Sequence, residues 1–382
     1  MTNSIFQSPV KVIYGIDSIV AVGKEAVSYG KKVMIVTGRN SSKKTGGLQK
    51  VIQSLKENNL EVLVFDEVES DPSVKTVRKG TEKAKAEGVD FIVALGGGSS
   101  IDAAKGISSM YTNPGDITDY EKNPFKKSGL PIIAIPTTAG TGSEISKFAV
   151  ITDTERKVKM LIGGEAIIPK VAILDPILTL MMPKHVTAAT GMDALTHAIE
   201  AYISKVSQPM TDIYAIKAIE LISENLPKAV LDGENIQARE NMLIGQMYAG
   251  YAFSNASVAL VHAMARPLGA YFDVAHGLAN ALLLPKVMEF NRPACKERLV
   301  KVAVAMGEKV EGLSISDGSY AAIKAINNLF LETGLPKSLK EVGVLKESIK
   351  DLAKDAIISG SVLFNPRKPS LEEIIDIYEK TY

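Results

Sequence analysis

Asp193 and His197 stand four residues apart in a stretch running from Gly191 to Glu200. After Gly191 the stretch holds neither Gly nor Pro and consists of good helix formers, so it reads as helix. Residues at i and i+4 share a helix face, so a carboxylate and an imidazole point the same way. That is half of a divalent metal site. His262, in Val261–Pro267, and His276, in Asp273–Gly277, could supply the other half. The chain has four histidines, and three of them fall in these motifs. One carboxylate and three imidazoles suit zinc or ferrous iron. Taken alone, the Asp193/His197 pair reads equally well as a solvated helix pair.

Two loops offer a different chemistry. Phe91–Lys105 is a β-rich apolar run that enters Gly96, Gly97, Gly98 and Ser99 and then a helical segment. Without Cβ atoms the backbone can turn sharply and approach a ligand, and a helix N-terminus suits a pyrophosphate. Ser99 could cap that helix or donate to phosphate, with Asp102 completing a capping box. The pattern is not the GxGxxG fingerprint. Pro136–Glu144 follows a second buried strand and carries Thr137, Thr138, Thr141, Ser143 and two glycines, a dense hydrogen-bonding surface for ribose or phosphate.

The elements that must position these groups divide the chain near residues 176–184. Up to Leu174, short apolar runs alternate with amphipathic segments. Strands are expected at Val10–Tyr14 (on an edge), Val33–Thr37, Val62–Phe65, Phe91–Leu95, Pro131–Ile135 and Val171–Leu174. Helices are expected at Leu48–Asn58, Val74–Glu87 and Ser100–Met110, and a two-stranded excursion at Lys147–Thr152 and Lys157–Ile162. This alternation predicts parallel βαβ units with helices on both faces. Beyond Pro183, long periodic segments take over: 190–204, 212–225, 236–255, 279–290, 297–306, 319–332 and 346–359. The fold class is therefore an α/β N-terminal domain with a Rossmann-like parallel sheet, residues 1–182, followed by an all-α C-terminal domain, residues 183–382.

Composition bounds the function. The 382 residues are 46% hydrophobic and 23% charged, with a net charge of +1. No field for nucleic acid or acidic lipid is implied, and no apolar run approaches a membrane span. The single Cys295 excludes an intrachain disulfide and a cysteine metal site. Met1–Ser4 lacks the basic and apolar regions of a signal peptide, so a cytoplasmic location is expected.

Together these motifs resemble the iron-containing (group III) alcohol dehydrogenase family. The resemblance rests on Gly96-Gly97-Gly98-Ser99-x-x-Asp102-x-x-Lys105, on Pro136–Glu144, on Gly191–Tyr202, and on His262 and His276 fourteen residues apart. It implies that metal and nicotinamide meet in a cleft between the two domains. It also implies a homodimer or larger homo-oligomer and a small alcohol, diol, hydroxy acid or aldehyde as substrate. By resemblance, Asp193, His197, His262 and His276 hold Fe²⁺, with Zn²⁺ as the alternative. Gly38, Gly96–Ser99, Asp102, Thr137, Thr138, Thr141, Lys159 and Leu178 contact the dinucleotide, and Phe148 and Phe253 line the substrate pocket. Two alternatives compete. A dehydroquinate-synthase-like lyase or polyol dehydrogenase shares the architecture, although a substrate phosphate needs more basic residues than the one extra histidine, His185. A non-catalytic nucleotide- or metal-binding protein would not require a full ligand set.

Two positions depart from the family pattern. Gly38 stands where many members carry an Asp that accepts from the adenosine ribose, and Arg39 and Lys43 follow closely. Loss of that carboxylate removes repulsion of a 2′-phosphate, so NADP(H) is expected to be preferred, with NAD(H) as the alternative. Arg266 stands four residues after His262, where many members have a proton-relaying histidine. Arginine stays protonated and cannot act as a base, but it can hold a substrate carboxylate or phosphonate.

Overall fold

The computed structural model describes residues 4–8, 11–156 and 158–382, without the side chain of Ser41. Met1–Asn3, Val10 and Lys157, to which sequence readings were attached, lie outside the described residues.

Among the described residues, eight strands form two sheets: β1 (Lys11–Tyr14), β2 (Lys32–Gly38), β3 (Glu61–Val68), β4 (Phe91–Gly96), β5 (Ile132–Pro136), β6 (Phe148–Asp153), β7 (Val158–Gly163) and β8 (Val171–Leu174). Six make a parallel sheet in the order β1-β8-β5-β4-β2-β3. β6 and β7 pair antiparallel as the expected excursion. The parallel sheet is buried on both faces, and its strands show how. Val33, Ile35, Val93 and Ile133 belong to one apolar cluster, while Met34, Val36, Ile92 and Ala134 belong to another. Successive side chains of a strand point to opposite faces, so a sheet with helices on both sides needs continuous apolar runs. β2 and β4 have that composition.

Beyond β8 the described residues contain no strand. Long helices follow at Lys184–Ile203, Pro209–Leu231, Ile236–Ala256, Leu260–Phe272, His276–Asn291 and Ile315–Glu332, with shorter ones at Lys296–Ala305, Ile349–Ile357 and Leu371–Thr381. None of the described helices is long and apolar enough to cross a membrane.

The chain divides into two compact units. One is Ser8–Met181; the other is Met182–Tyr382 joined by the N-terminal segment that ends at Gln7. This segment was grouped with the α/β half on sequence, but it packs in the helical unit. Gln7 exchanges two hydrogen bonds with the Asn255 side chain, at 2.8 and 3.0 Å, and Phe6 stacks on Tyr214.

Candidate metal and nucleotide sites

Helix Lys184–Ile203 buries Asp193 and His197 on one face. His276 opens helix His276–Asn291 and is brought beside Asp193 by the residue that follows it. A Cβ on Gly277 would stand 2.5 Å from the carbonyl oxygen of Ala189, so only glycine lets the two helix backbones approach this closely. His262 comes from the first turn of helix Leu260–Phe272. One ligand atom each from Asp193, His262 and His276 lies within 4.8 Å of the other two. Both imidazole Nε2 atoms stand near Asp193 Oδ1, at 3.7 Å for His262 and 3.8 Å for His276. The cluster is open on the His276 side, where the side chain is 43% exposed against 4% for His262 and 3% for Asp193.

His197 stands outside that set of three. Its ring is sandwiched, 4.4 Å from Phe253 and 4.5 Å from His262 between centroids, and its Nδ1 is buried without a hydrogen-bond partner.

The His262 imidazole is prepared as a lone-pair donor. Burial pushes His262 well below the usual histidine range, so it is neutral near pH 7. Glu200 fixes which nitrogen of His262 carries the proton. Its carboxylate accepts the backbone N–H groups of Ala259 (2.9 Å) and Val261 (2.6 Å), capping the start of the helix that carries His262. The same carboxylate accepts from His262 Nδ1 at 2.7 Å, leaving the Nε2 lone pair facing Asp193.

A cation fits this arrangement. The Asn280 amide nitrogen lies 2.6 Å from Asp193 Oδ1 and 3.2 Å from each of His262 Nε2 and His276 Nε2. Two N–H hydrogens face three lone-pair atoms, so an electropositive group is wanted and not fully supplied.

In the α/β unit, helix Gly98–Thr112 starts immediately after β4, with Gly97 as its N-cap and no side-chain cap. The expected capping box is therefore absent. Ser99 lies inside the first turn, and its hydroxyl accepts from the Asp71 amide at 3.3 Å. Ser100 and Ile101 donate to the Gly97 carbonyl, at 3.0 and 3.3 Å, which leaves the N–H groups of Gly98 and Ser99 as those the helix itself does not take up. A Cβ on Gly98 would stand 2.8 Å from Thr141 Cγ2, and one on Gly97 would stand 3.3 Å from Thr138. The two loops thus meet edge to edge through glycine. Thr137 is buried and donates its N–H to the Gly96 carbonyl at 3.0 Å.

Asp102 and Lys105 brace this junction from beneath. Asp102 accepts from the Ser143 hydroxyl and from the Val150 N–H (2.9 Å), tying the helix to the second loop and to β6. Lys105 donates to Ser143 Oγ (3.0 Å) and to the carbonyls of Ser146 (3.0 Å) and Phe148 (2.6 Å). Burial pushes its ammonium down to about 8 and the neighbouring Glu144 carboxyl up to about 7.

Comparison with known proteins decides the family. The iron-containing alcohol dehydrogenase profile matches residues 9–176, and the C-terminal profile of the same family matches residues 187–382. The chain belongs to the iron-containing alcohol dehydrogenase family. It is 43% identical to 1,3-propanediol dehydrogenase of Citrobacter freundii, over 97% of this chain and 96% of that one. It is 41% identical to an NAD-dependent methanol dehydrogenase of Bacillus methanolicus, over 99% of both. The crystal structure of a 1,3-propanediol oxidoreductase superposes with a TM-score of 0.97 at 41% identity, covering all of both chains. The chain is an oxidoreductase of alcohols and aldehydes.

The remaining positions of this dehydrogenase fall as follows. Gly38 ends β2, and Lys43 pairs with Asp66. Lys159 pairs with Asp71, which places it beside Ser99. Leu178 is buried in the apolar cluster beneath the sheet. Phe148 opens β6, and its carbonyl is one of the Lys105 acceptors. Arg266 donates to Ser359 Oγ at 3.0 Å. Glu200 and Asn280 were given no role on sequence. Both carry a spacing signal: Glu200 is seven residues after Asp193, and Asn280 is four after His276, so each shares a helix face with a candidate ligand.

Proposed function

We propose that this chain is a metal- and NAD(P)-dependent alcohol dehydrogenase, with Asp193, His197, His262 and His276 holding Fe²⁺ or Zn²⁺ and with NADP(H) preferred. The observation that carries this reading is the convergence of Asp193, His262 and His276 ligand atoms within 4.8 Å. A bound divalent ion supplies Lewis acidity to the substrate oxygen. A bound dinucleotide would supply the hydride-transfer chemistry at the substrate carbon.

The chain's own groups bind and orient. The first-turn N–H groups of helix Gly98–Thr112 receive the pyrophosphate, and Thr138 and Thr141 form the facing wall. Glu200 holds His262 in one tautomer, and Phe253 holds the His197 ring by stacking. Arg266 keeps its protons at neutral pH and does not take the alcohol's proton. Gly38 presents no carboxylate to a 2′-phosphate, which favours NADP(H).

The test is aldehyde-dependent oxidation of NADPH and NADH, side by side. Protein stripped of metal is reconstituted anaerobically with Fe²⁺ or Zn²⁺. Metal-restored turnover with a higher kcat/KM for NADPH is expected, and Gly38→Asp should reverse that preference. No turnover with either metal sinks the reading; a strong NADH preference sinks its nucleotide half.

A further inference from the structure

Arg266 follows His262 by four residues on helix Leu260–Phe272. It therefore shares the face of a proposed metal ligand, about 6 Å further along the helix axis. The side chain is only partly exposed, yet it is a permanent cation with five N–H donors. Among the described residues its one hydrogen-bond partner is the Ser359 hydroxyl at 3.0 Å, and no carboxylate pairs with it within 4.0 Å. Glu200 does not meet this need by contact. Its oxygens are taken up by two backbone N–H groups and by His262.

A partly buried guanidinium without an anion is an expensive arrangement. It becomes favourable when an anion arrives that can take two of its N–H donors together. The surroundings suit such a group. The Ser359 hydroxyl beside the guanidinium lies 3.2 Å from Ser361 Oγ, so a second hydroxyl stands behind the first.

We propose that Arg266, with Ser359, forms an anion subsite one helix turn from the ligand cluster. It would select short aldehydes and alcohols that carry a carboxylate or sulfonate at the far end. The proposal rests on the dehydrogenase reading and narrows its substrate class.

The test compares kcat/KM for succinic semialdehyde, sulfoacetaldehyde and butanal in metal-reconstituted wild type, Arg266→Lys and Arg266→Met. The quantity read is the ratio of acidic to neutral substrate. Damage to fold or metal content lowers all substrates together and leaves this ratio unmoved. Arg266→Met should lower it by about 10- to 100-fold, the range for hydrogen bonds to a charged group. Arg266→Lys, which keeps the charge and loses the fork, should fall between. A drop confined to the carboxylate or to the sulfonate names the headgroup, whereas an unchanged ratio overturns the proposal. A second measurement needs no turnover: calorimetric titration of the metal-loaded protein, without nucleotide, with 4-hydroxybutyrate and with 1-butanol. Wild type should bind the acid more tightly than the neutral alcohol, and Arg266→Met should lose that difference. Equal affinities in wild type overturn the subsite. Absence of all aldehyde turnover would instead count against the dehydrogenase reading, leaving the titration to decide the subsite alone.

Discussion

In the α/β unit, the groups offered to a ligand are backbone. Helix Gly98–Thr112 starts with no side-chain cap, and the nearby charges of Asp102 and Lys105 brace the loops. In the helical unit, the groups offered are side chains. Asp193, His262 and His276 converge, and Glu200 and Asn280 hold their donor atoms. The first site depends on shape and therefore on what glycine leaves out. The second depends on the chemistry of a few atoms and on the partners that orient them.

That difference predicts how each site breaks. Glu200→Gln keeps the shape of the helical site but removes the charge that holds the His262 tautomer. Metal affinity should fall by about 10- to 100-fold, measured by competition with a chelator, with helix content by circular dichroism unchanged. Unchanged affinity would show that orientation matters as little here as side-chain chemistry does in the other unit. Gly98→Ala adds one methyl group against Thr141 and changes no functional atom. The nucleotide KM should rise by about tenfold, since the backbone loses its close approach to the pyrophosphate. Adding Thr141→Gly, which removes all three side-chain atoms that the methyl group meets, should restore much of the loss. Failure of that rescue would mean that shape is not what the glycine protects.

A third effect concerns the bracing. The buried Glu144 carboxyl is raised from 4.5 to about 7. A raised acid contributes stability that is complete below pH 4.5 and is lost as pH rises through about 7. Its share is roughly 3 kcal/mol. Glu144→Gln has no such group to ionise, so its stability should fall less than wild type over that window. Thermal melts in the presence of chelator would show this, and parallel curves would contradict it.

The parallel sheet was legible because β2 and β4 are apolar on both faces, which only a sheet covered on two sides requires. Helix Leu260–Phe272 was harder to delimit. Pro267 reads as a breaker, yet it sits inside the helix, where its neighbours Val261, Met264 and Leu268 are buried. Helix Leu371–Thr381 was overlooked, although Ser370 caps it through Glu373. In the site, Asp193, His262 and His276 stood out by residue type and by the rarity of histidine. Glu200 and Asn280 did not, because glutamate and asparagine are common and only their helical spacing from a ligand marks them. Ser99 misled as a cap because Gly97 supplies the turn that a serine usually signals. Lys105 was visible in its motif, but its burial was not, since its acceptors Ser143, Ser146 and Phe148 lie about forty residues away.

The central claim is that the imidazole face of the helical unit holds a metal ion. It is tested most directly by metal content after anaerobic reconstitution and desalting, in wild type and His262→Ala. About one ion per chain is expected in wild type, and almost none in His262→Ala at unchanged helix content. A variant that retains its full complement, or a wild type that retains none, would contradict the account.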